Sequence, residues 1–143
     1  MVAFIISPRI ERRYKGWGEL WVLMKDFHYD IAIFDHDANL PGYVKTPTMT
    51  SLKENLLKCN SYIADDSGVM HLADYLKIPG LAIFGPTNMI KSGPVNGFRI
   101  SKGLDCSPCF RKGKVNCTEN FHCLNIKPNE VLHYFQIWGI EAP

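Results

Sequence analysis

No apolar run in this chain approaches the ~18 residues that a membrane-spanning helix needs, and VAFII near the start is too short for a signal peptide. Charge of one sign is not in excess: 16 Lys and Arg face 14 Asp and Glu, and a formal net charge of +2 argues neither for nor against a polyanionic partner. There is no internal repeat, which excludes a solenoid, and no low-complexity segment, which excludes a long disordered tether. The second Cys-x2-Cys pair that usually accompanies the first in a zinc-binding loop is also missing. What is left is a cytoplasmic globular protein. With 46% apolar and 21% charged residues its composition is ordinary, and a chain of this size buries roughly 68–70% of its unfolded surface, enough for an independent core.

What the sequence does contain is an alternation of short apolar runs and helical patterns. Val2–Ile6, Ile31–Phe34, Tyr62–Ala64, Leu81–Phe84 and Phe98–Ser101 read as strands. Glu19–Phe27 carries Leu20, Leu23, Met24 and Phe27 at helical spacing. Thr50 or Ser51 can cap a helix with Leu52, Leu56 and Leu57 inside, ending near Cys59. Asn129–Trp138 reads as a closing helix that starts near Pro128. Strands alternating with helices give βα units and an α/β class: a Rossmann-like, mostly parallel sheet with helices on both faces.

The densest stretch is Asp65–Thr87, DDSGVMHLADYLKIPGLAIFGPT, which reads as loop, helix, strand and loop. Asp65 or Asp66 can cap the helix by accepting from first-turn N–H groups. Ser67 and Gly68 leave that turn uncrowded, so its remaining N–H groups and positive dipole end can face an anion. Val69, Leu72, Ala73 and Leu76 share a stripe suited to packing on a sheet, while Ser67, His71 and Asp74 fall on the opposite side. Pro79 ends the helix. Gly85, Pro86 and Thr87 follow the strand at its C-terminal end, the edge where open α/β sheets bind ligands.

These residues resemble glycosyltransferase family nine, the heptosyltransferase-like enzymes. The family's Asp-Ser/Thr-Gly-x-x-His, Pro and Gly-Pro-Thr pattern matches Asp66, Ser67, Gly68, His71, Pro79, Gly85, Pro86 and Thr87. Arg12–Met24, RRYKGWGELWVLM, is similar to a Lys-x-Trp segment that places Lys15 and Trp17. Cys106–Val131 resembles a Cys-x-Pro-Cys, Cys-Leu and Ile-x-Pro-x-x-Val tail, so the likeness covers most of the chain. It implies GT-B-type enzymes, whose C-terminal domain holds most of the nucleotide-sugar site and whose N-terminal domain carries the acceptor site and general base. All matching segments belong to the C-terminal half. A complete enzyme needs roughly twice this length, at about 100–200 residues per domain. With Met1 directly before the first strand, residues 1–143 read as one nucleotide-sugar-binding domain with a Cys-rich loop at 103–125, lacking its partner half.

The resemblance implies glycosyl transfer from a nucleoside-diphosphate sugar, of the ADP-heptose kind used in lipopolysaccharide biosynthesis, to a hydroxyl acceptor. Lys15 would contact the donor phosphates, although on sequence alone the favoured reading is a solvated member of a basic loop with Arg9, Arg12 and Arg13. Trp17 reads as a packing residue. Asp66 is either a cap or a sugar-hydroxyl binder. Ser67, Gly68 and the amides of Val69 and Met70 would hold the diphosphate, and His71 either donates to a phosphate oxygen or bonds a neighbouring loop. Thr87 either touches the donor or caps a turn at Asn88–Lys91. Asp35, His36 and Asp37 would lie near the nucleoside ribose. No catalytic residue can be assigned, since the family's base lies in the other half, and no cofactor is needed if the helix dipole and Lys15 supply the positive field.

Cys106, Cys109, Cys117 and Cys123 form a second constellation, with His122 as a competing ligand. A structural zinc ion, disulfides and free thiols all fit this spacing. Cys59 stands apart as a small buried apolar residue. Phe110, Arg111, Lys112 and Lys114 in the same loop raise two rival readings beside the enzyme: a metal-stabilised nucleic-acid binder, not the expected partner, and a non-catalytic domain docking on another chain or on itself.

Overall fold

The protein is described by a computed structural model covering residues 1–9, 12–35, 40–85, 93–102, 110–111, 114–115 and 122–140. Strands β1 (Val2–Ile6), β2 (Ile31–Asp35), β3 (Ser61–Asp65), β4 (Gly80–Phe84) and β5 (Phe98–Ser101) form one five-stranded sheet in the order β2-β1-β3-β4-β5. Every pairing in it is parallel. All residues of β1, β3 and β4 are buried, which is why these strands read as continuous apolar runs rather than alternating ones. Four helices are described: α1 (Trp17–Asp26), α2 (Met49–Leu56), α3 (Gly68–Tyr75) and α4 (Pro128–Ile137). A short antiparallel pair, β6 (Phe110–Arg111) with β7 (Lys114–Val115), lies within the cysteine-rich loop.

The strand periodicity sorts side chains onto two faces, and a separate core forms on each. Val2, Phe4 and Ile6 pack with Trp17, Leu20 and Met24 of α1 and with Val131, Leu132 and Phe135 of α4. Ala3 and Ile5 face the other way, toward Leu56 of α2 and Met70 and Ala73 of α3. Helices therefore cover both faces, as the βα alternation predicts. The Ile33 edge of β2 is closed by a turn: Ile33 N–H donates to Gly42 O and Val44 N–H to Ile33 O, both at 2.9 Å. Gly42 makes this approach at φ +102°, where a Cβ would press on Ile31 O.

Three details depart from the sequence reading. The cap of α2 is Thr48 rather than Thr50 or Ser51; it forms a capping box with Ser51, and the helix closes early enough to leave Leu57 60% exposed rather than inside. In α3, Asp74 does not point outward with His71 but is buried. Its carboxylate accepts the N–H groups of Val95 and Asn96 at 2.7 and 2.9 Å and so fastens the connection between β4 and β5. Helical periodicity could not foresee this, because the partners lie more than 20 residues away. The α3 cap is likewise reassigned: Ser67 is the N-cap, its Oγ accepting from Met70 N–H at 3.3 Å, and neither Asp65 nor Asp66 fills that place.

Topology singles out one position. From β1 the chain moves outward to β2, then crosses back to lay β3 on the other side of β1. The order reverses between β1 and β3, and in open α/β sheets a crevice opens at the C-terminal strand ends where this happens.

Candidate functional site

A cavity of about 310 Å³ occupies that switch point, and its described lining is Ser7, Pro8, Arg9, Arg12, Asp66, Ser67 and Gly68. One wall is the connection leaving β1 and the other is the turn between β3 and α3. Arg12 Nη1 stands 3.9 Å from Asp66 Oδ2 across it. Two guanidinium-bearing residues thus share the cavity with one carboxylate and the first turn of an eight-residue helix. First-turn N–H groups have no acceptor within their own helix, and the positive dipole end adds to the arginine charge. An anion with several oxygens suits such a wall, since a guanidinium pairs bidentately with phosphate.

The loop that carries the arginines is held from beneath. Asp65, the last residue of β3, is wholly buried. Its carboxylate accepts from Ser7 N–H at 2.9 Å, Tyr14 N–H at 2.8 Å and Trp17 Nε1–H at 2.9 Å. Burial pushes its carboxyl up to about 7, against the opposing pull of these three donors and of the nearby Arg13 guanidinium. Arg13 folds the same loop back on itself, donating from Nε to Ser7 O at 2.9 Å and from Nη2 to Pro8 O at 3.0 Å. Trp17 packs against Phe4 and Tyr14 as well as bonding Asp65, so its packing role holds and gains a polar purpose. Tyr14 O–H donates to Ile126 O, and burial raises its pKa.

Of the residues singled out from the sequence, Asp66, Ser67 and Gly68 come together in the cavity. Val69 and Met70 follow on α3; the Met70 amide donates to Ser67 Oγ. His71 is exposed one turn into the helix, its N–H donating to Ser67 O at 3.3 Å. Lys15 is exposed beside the cavity-bearing loop, not in the described lining, with its N–H on Leu124 O at 2.9 Å. Sequence reasoning left Arg9 and Arg12 in a solvated basic loop and passed over Ser7; the available signal was their place directly after the first strand. Asp65 was missed because a buried hub and an exposed cap look alike in the string DDSG.

A second cavity of about 380 Å³ is lined by Tyr43, Lys45, Thr46, Pro47, Leu52 and Val69, the residue that follows Gly68 of the first. Its mix of an aromatic ring, aliphatic side chains, a hydroxyl and a lysine suits a flat, partly apolar group with polar edges. Thr87, Cys106, Cys109 and Cys117 lie outside the described residues, as do His36 and Asp37. Cys123 is buried, and Gly85 at the end of β4 allows it close: a Cβ there would stand 3.0 Å from Cys123 Sγ. Among the described residues no three His, Cys, Asp or Glu side chains gather to hold a metal ion.

The model of glycosyltransferase family 9 (heptosyltransferase) matches residues 20–119. The chain belongs to this family. Lipooligosaccharide heptosyltransferase 2 of Campylobacter jejuni subsp. jejuni is 34% identical over 90 residues, which is 59% of this chain and 28% of that protein. Among solved structures, Escherichia coli heptosyltransferase WaaC with ADP superposes with a TM-score of 0.69 at 15% identity, covering 95% of this chain and 43% of that one. The dodecameric iron-containing heptosyltransferase TibC in complex with ADP-D-β-D-heptose gives 0.70 at 18% identity, over 96% and 45%. This family member therefore has the α/β fold of heptosyltransferases but spans less than half the length of each of these relatives. Among the described residues no helix is long and apolar enough to cross a membrane.

Proposed function

We propose that this chain is a donor-binding domain: it holds a nucleoside-diphosphate sugar of the ADP-heptose type, for transfer of the glycosyl group to an acceptor hydroxyl. The observation that carries the reading is the cavity at the sheet's switch point, where Arg9 and Arg12 meet Asp66, Ser67 and Gly68 at the start of α3. In this reading the diphosphate lies against the two arginines and the first-turn amides of Gly68 and Val69. Lys15 and His71 approach it from the loop and helix beside the cavity. The nucleoside extends along α3 into the neighbouring space between Tyr43 and Val69. Asp66 accepts from a sugar hydroxyl through its carboxylate, and Thr87 is a further candidate contact.

The chemistry follows from where charge develops. Transfer breaks the bond between the anomeric carbon and the diphosphate oxygen and forms one to the acceptor oxygen. Negative charge grows on the departing diphosphate, and donors already in place stabilise it without reorganising. The acceptor hydroxyl loses its proton to a general base. As the family resemblance implies, the reading gives the base and the acceptor site to an N-terminal half, on the same or a separate chain. Cys106, Cys109, Cys117 and Cys123 remain a candidate set for a structural zinc ion; elemental analysis finding no metal in the purified chain removes that assignment.

Thermal-shift titration with ADP, UDP and GDP at fixed salt tests the function. A ligand that binds only the folded state stabilises it by roughly 2.7 kcal/mol at one hundred times its dissociation constant. A selective shift with ADP is expected. Equal responses to all three, or none, overturn the donor assignment.

A further inference from the structure

Asp65 belongs to neither the cavity lining nor the family pattern matched in the sequence, yet three donors from one connecting segment converge on it. Ser7 is the first residue past β1, Tyr14 immediately precedes Lys15, and Trp17 opens α1. A single carboxylate on β3 thus ties down both ends of the β1–α1 connection, at 2.8–2.9 Å. The next residue, Asp66, meets the same segment from the cavity side through Arg12. Arg13 closes the near end by binding Ser7 O and Pro8 O, which leaves the adjacent Arg12 in the cavity lining. Neighbouring carboxylates therefore divide the work: Asp65 grips the backbone from below and Asp66 faces the ligand space.

We propose that Asp65 is the positioning residue for the diphosphate subsite, setting Arg9 and Arg12 against the start of α3 without itself touching the ligand. The inference rests on the donor-binding reading above. Misplacing a preorganised charged group by about an ångström is enough to lose much of its value, and no other described residue bonds the connection at Ser7, Tyr14 and Trp17 together. Asp65→Asn keeps the shape of the side chain but sets an amide NH2 against at least one of the three donors, so the loop shifts while the fold stays closed.

The test compares two probes, ADP and adenosine, by calorimetry or NMR titration at pH 8. Wild type and Asp65→Asn are measured after urea unfolding has established that both are folded. The expected result is an affinity for ADP at least tenfold lower in Asp65→Asn, with adenosine affinity within twofold, because only ADP presents phosphates to the loop. A merely structural role predicts equal losses for both probes, and that result overturns the proposal, as does an unchanged ADP affinity. If Asp65→Asn does not fold, Trp17→Phe removes one donor while keeping a smaller aromatic ring in the core; a selective loss of about threefold for ADP is expected, and no selective loss refutes the role. Wild-type protein that binds neither probe defeats the donor reading and this inference with it. Wild type that binds ADP beside a variant that binds it equally well defeats the inference alone.

Discussion

Replacing Asp74 by alanine removes the acceptor that joins α3 to the segment before β5. Its carboxylate is buried and takes two backbone N–H groups, from Val95 at 2.7 Å and Asn96 at 2.9 Å. Hydrogen bonds to a charged group contribute about 1.5–3 kcal/mol each, so the pair amounts to roughly 3–6 kcal/mol. Val95 and Asn96 are themselves exposed, so water can reach part of what is vacated, and a net loss of about 2–4 kcal/mol is expected. That is a large share of the 5–15 kcal/mol typical of a domain. With a urea m-value of about 1–3 kcal/mol/M, the midpoint in urea unfolding should fall by about 1–2 M. Asp74→Asn retains one carbonyl acceptor and should lose about half as much. ADP binding by the folded variant should stay within twofold, since Asp74 does not line either cavity on this side of the sheet. An Asp74→Ala midpoint indistinguishable from wild type would refute the reasoning, because a buried two-donor clamp cannot be removed at no cost.

Three further outcomes are expected. The Tyr62 hydroxyl is buried with no hydrogen-bond partner among the described residues, so Tyr62→Phe should leave stability unchanged or raise it by up to about 1 kcal/mol, read by urea unfolding. Asp65 titrates at about 7 in the folded protein against 3.8 for the ordinary value, so the folded state holds a proton that the unfolded chain has released. Its contribution to stability is fullest below about pH 4 and declines until about pH 7, a change on the order of 4 kcal/mol at 1.36 kcal/mol per pH unit; unfolding across pH 4–8 should show this loss in wild type, while Asp65→Asn, which has no group to titrate there, lacks it. Lys15→Ala and Arg12→Ala should each weaken ADP binding in a folded protein, Arg12→Ala by about tenfold because its guanidinium can pair bidentately with phosphate; calorimetry finding unchanged affinity removes that residue from the site.

The sheet was legible because its central strands are buried on both faces and so appear as uninterrupted apolar runs; β1 and β5 emerge with the bounds that the sequence predicts. The observed sheet, with helices on both faces, agrees with the βα alternation. Helix starts were less legible, since a cap depends on backbone geometry that several neighbouring hydroxyls can satisfy: Thr48, Thr50 and Ser51 compete within four positions, and geometry chose Thr48. The site divides along the same line. Asp66, Ser67 and Gly68 are adjacent in sequence, and a local motif suffices to bring them to one cavity. Arg12 and Asp65 acquire their roles through contacts across about fifty residues, which no local period records. Asp74 shows the same limit from the other side: helical spacing placed it outward, and two distant amides drew it in.

The bonds from Lys15 N–H to Leu124 O and from Tyr14 O–H to Ile126 O join segments more than a hundred residues apart. Closing so long a span is slow relative to forming the local βα units, because its entropy must be overcome before the contacts can repay it. The β1–α1 connection is synthesised before the rest of the sheet, yet its support at residues 124–126 follows the whole sheet in sequence. The β1–α1 loop is therefore among the last of the described parts to settle, and a chain cut short before Leu124 would keep a sheet with an unfinished mouth.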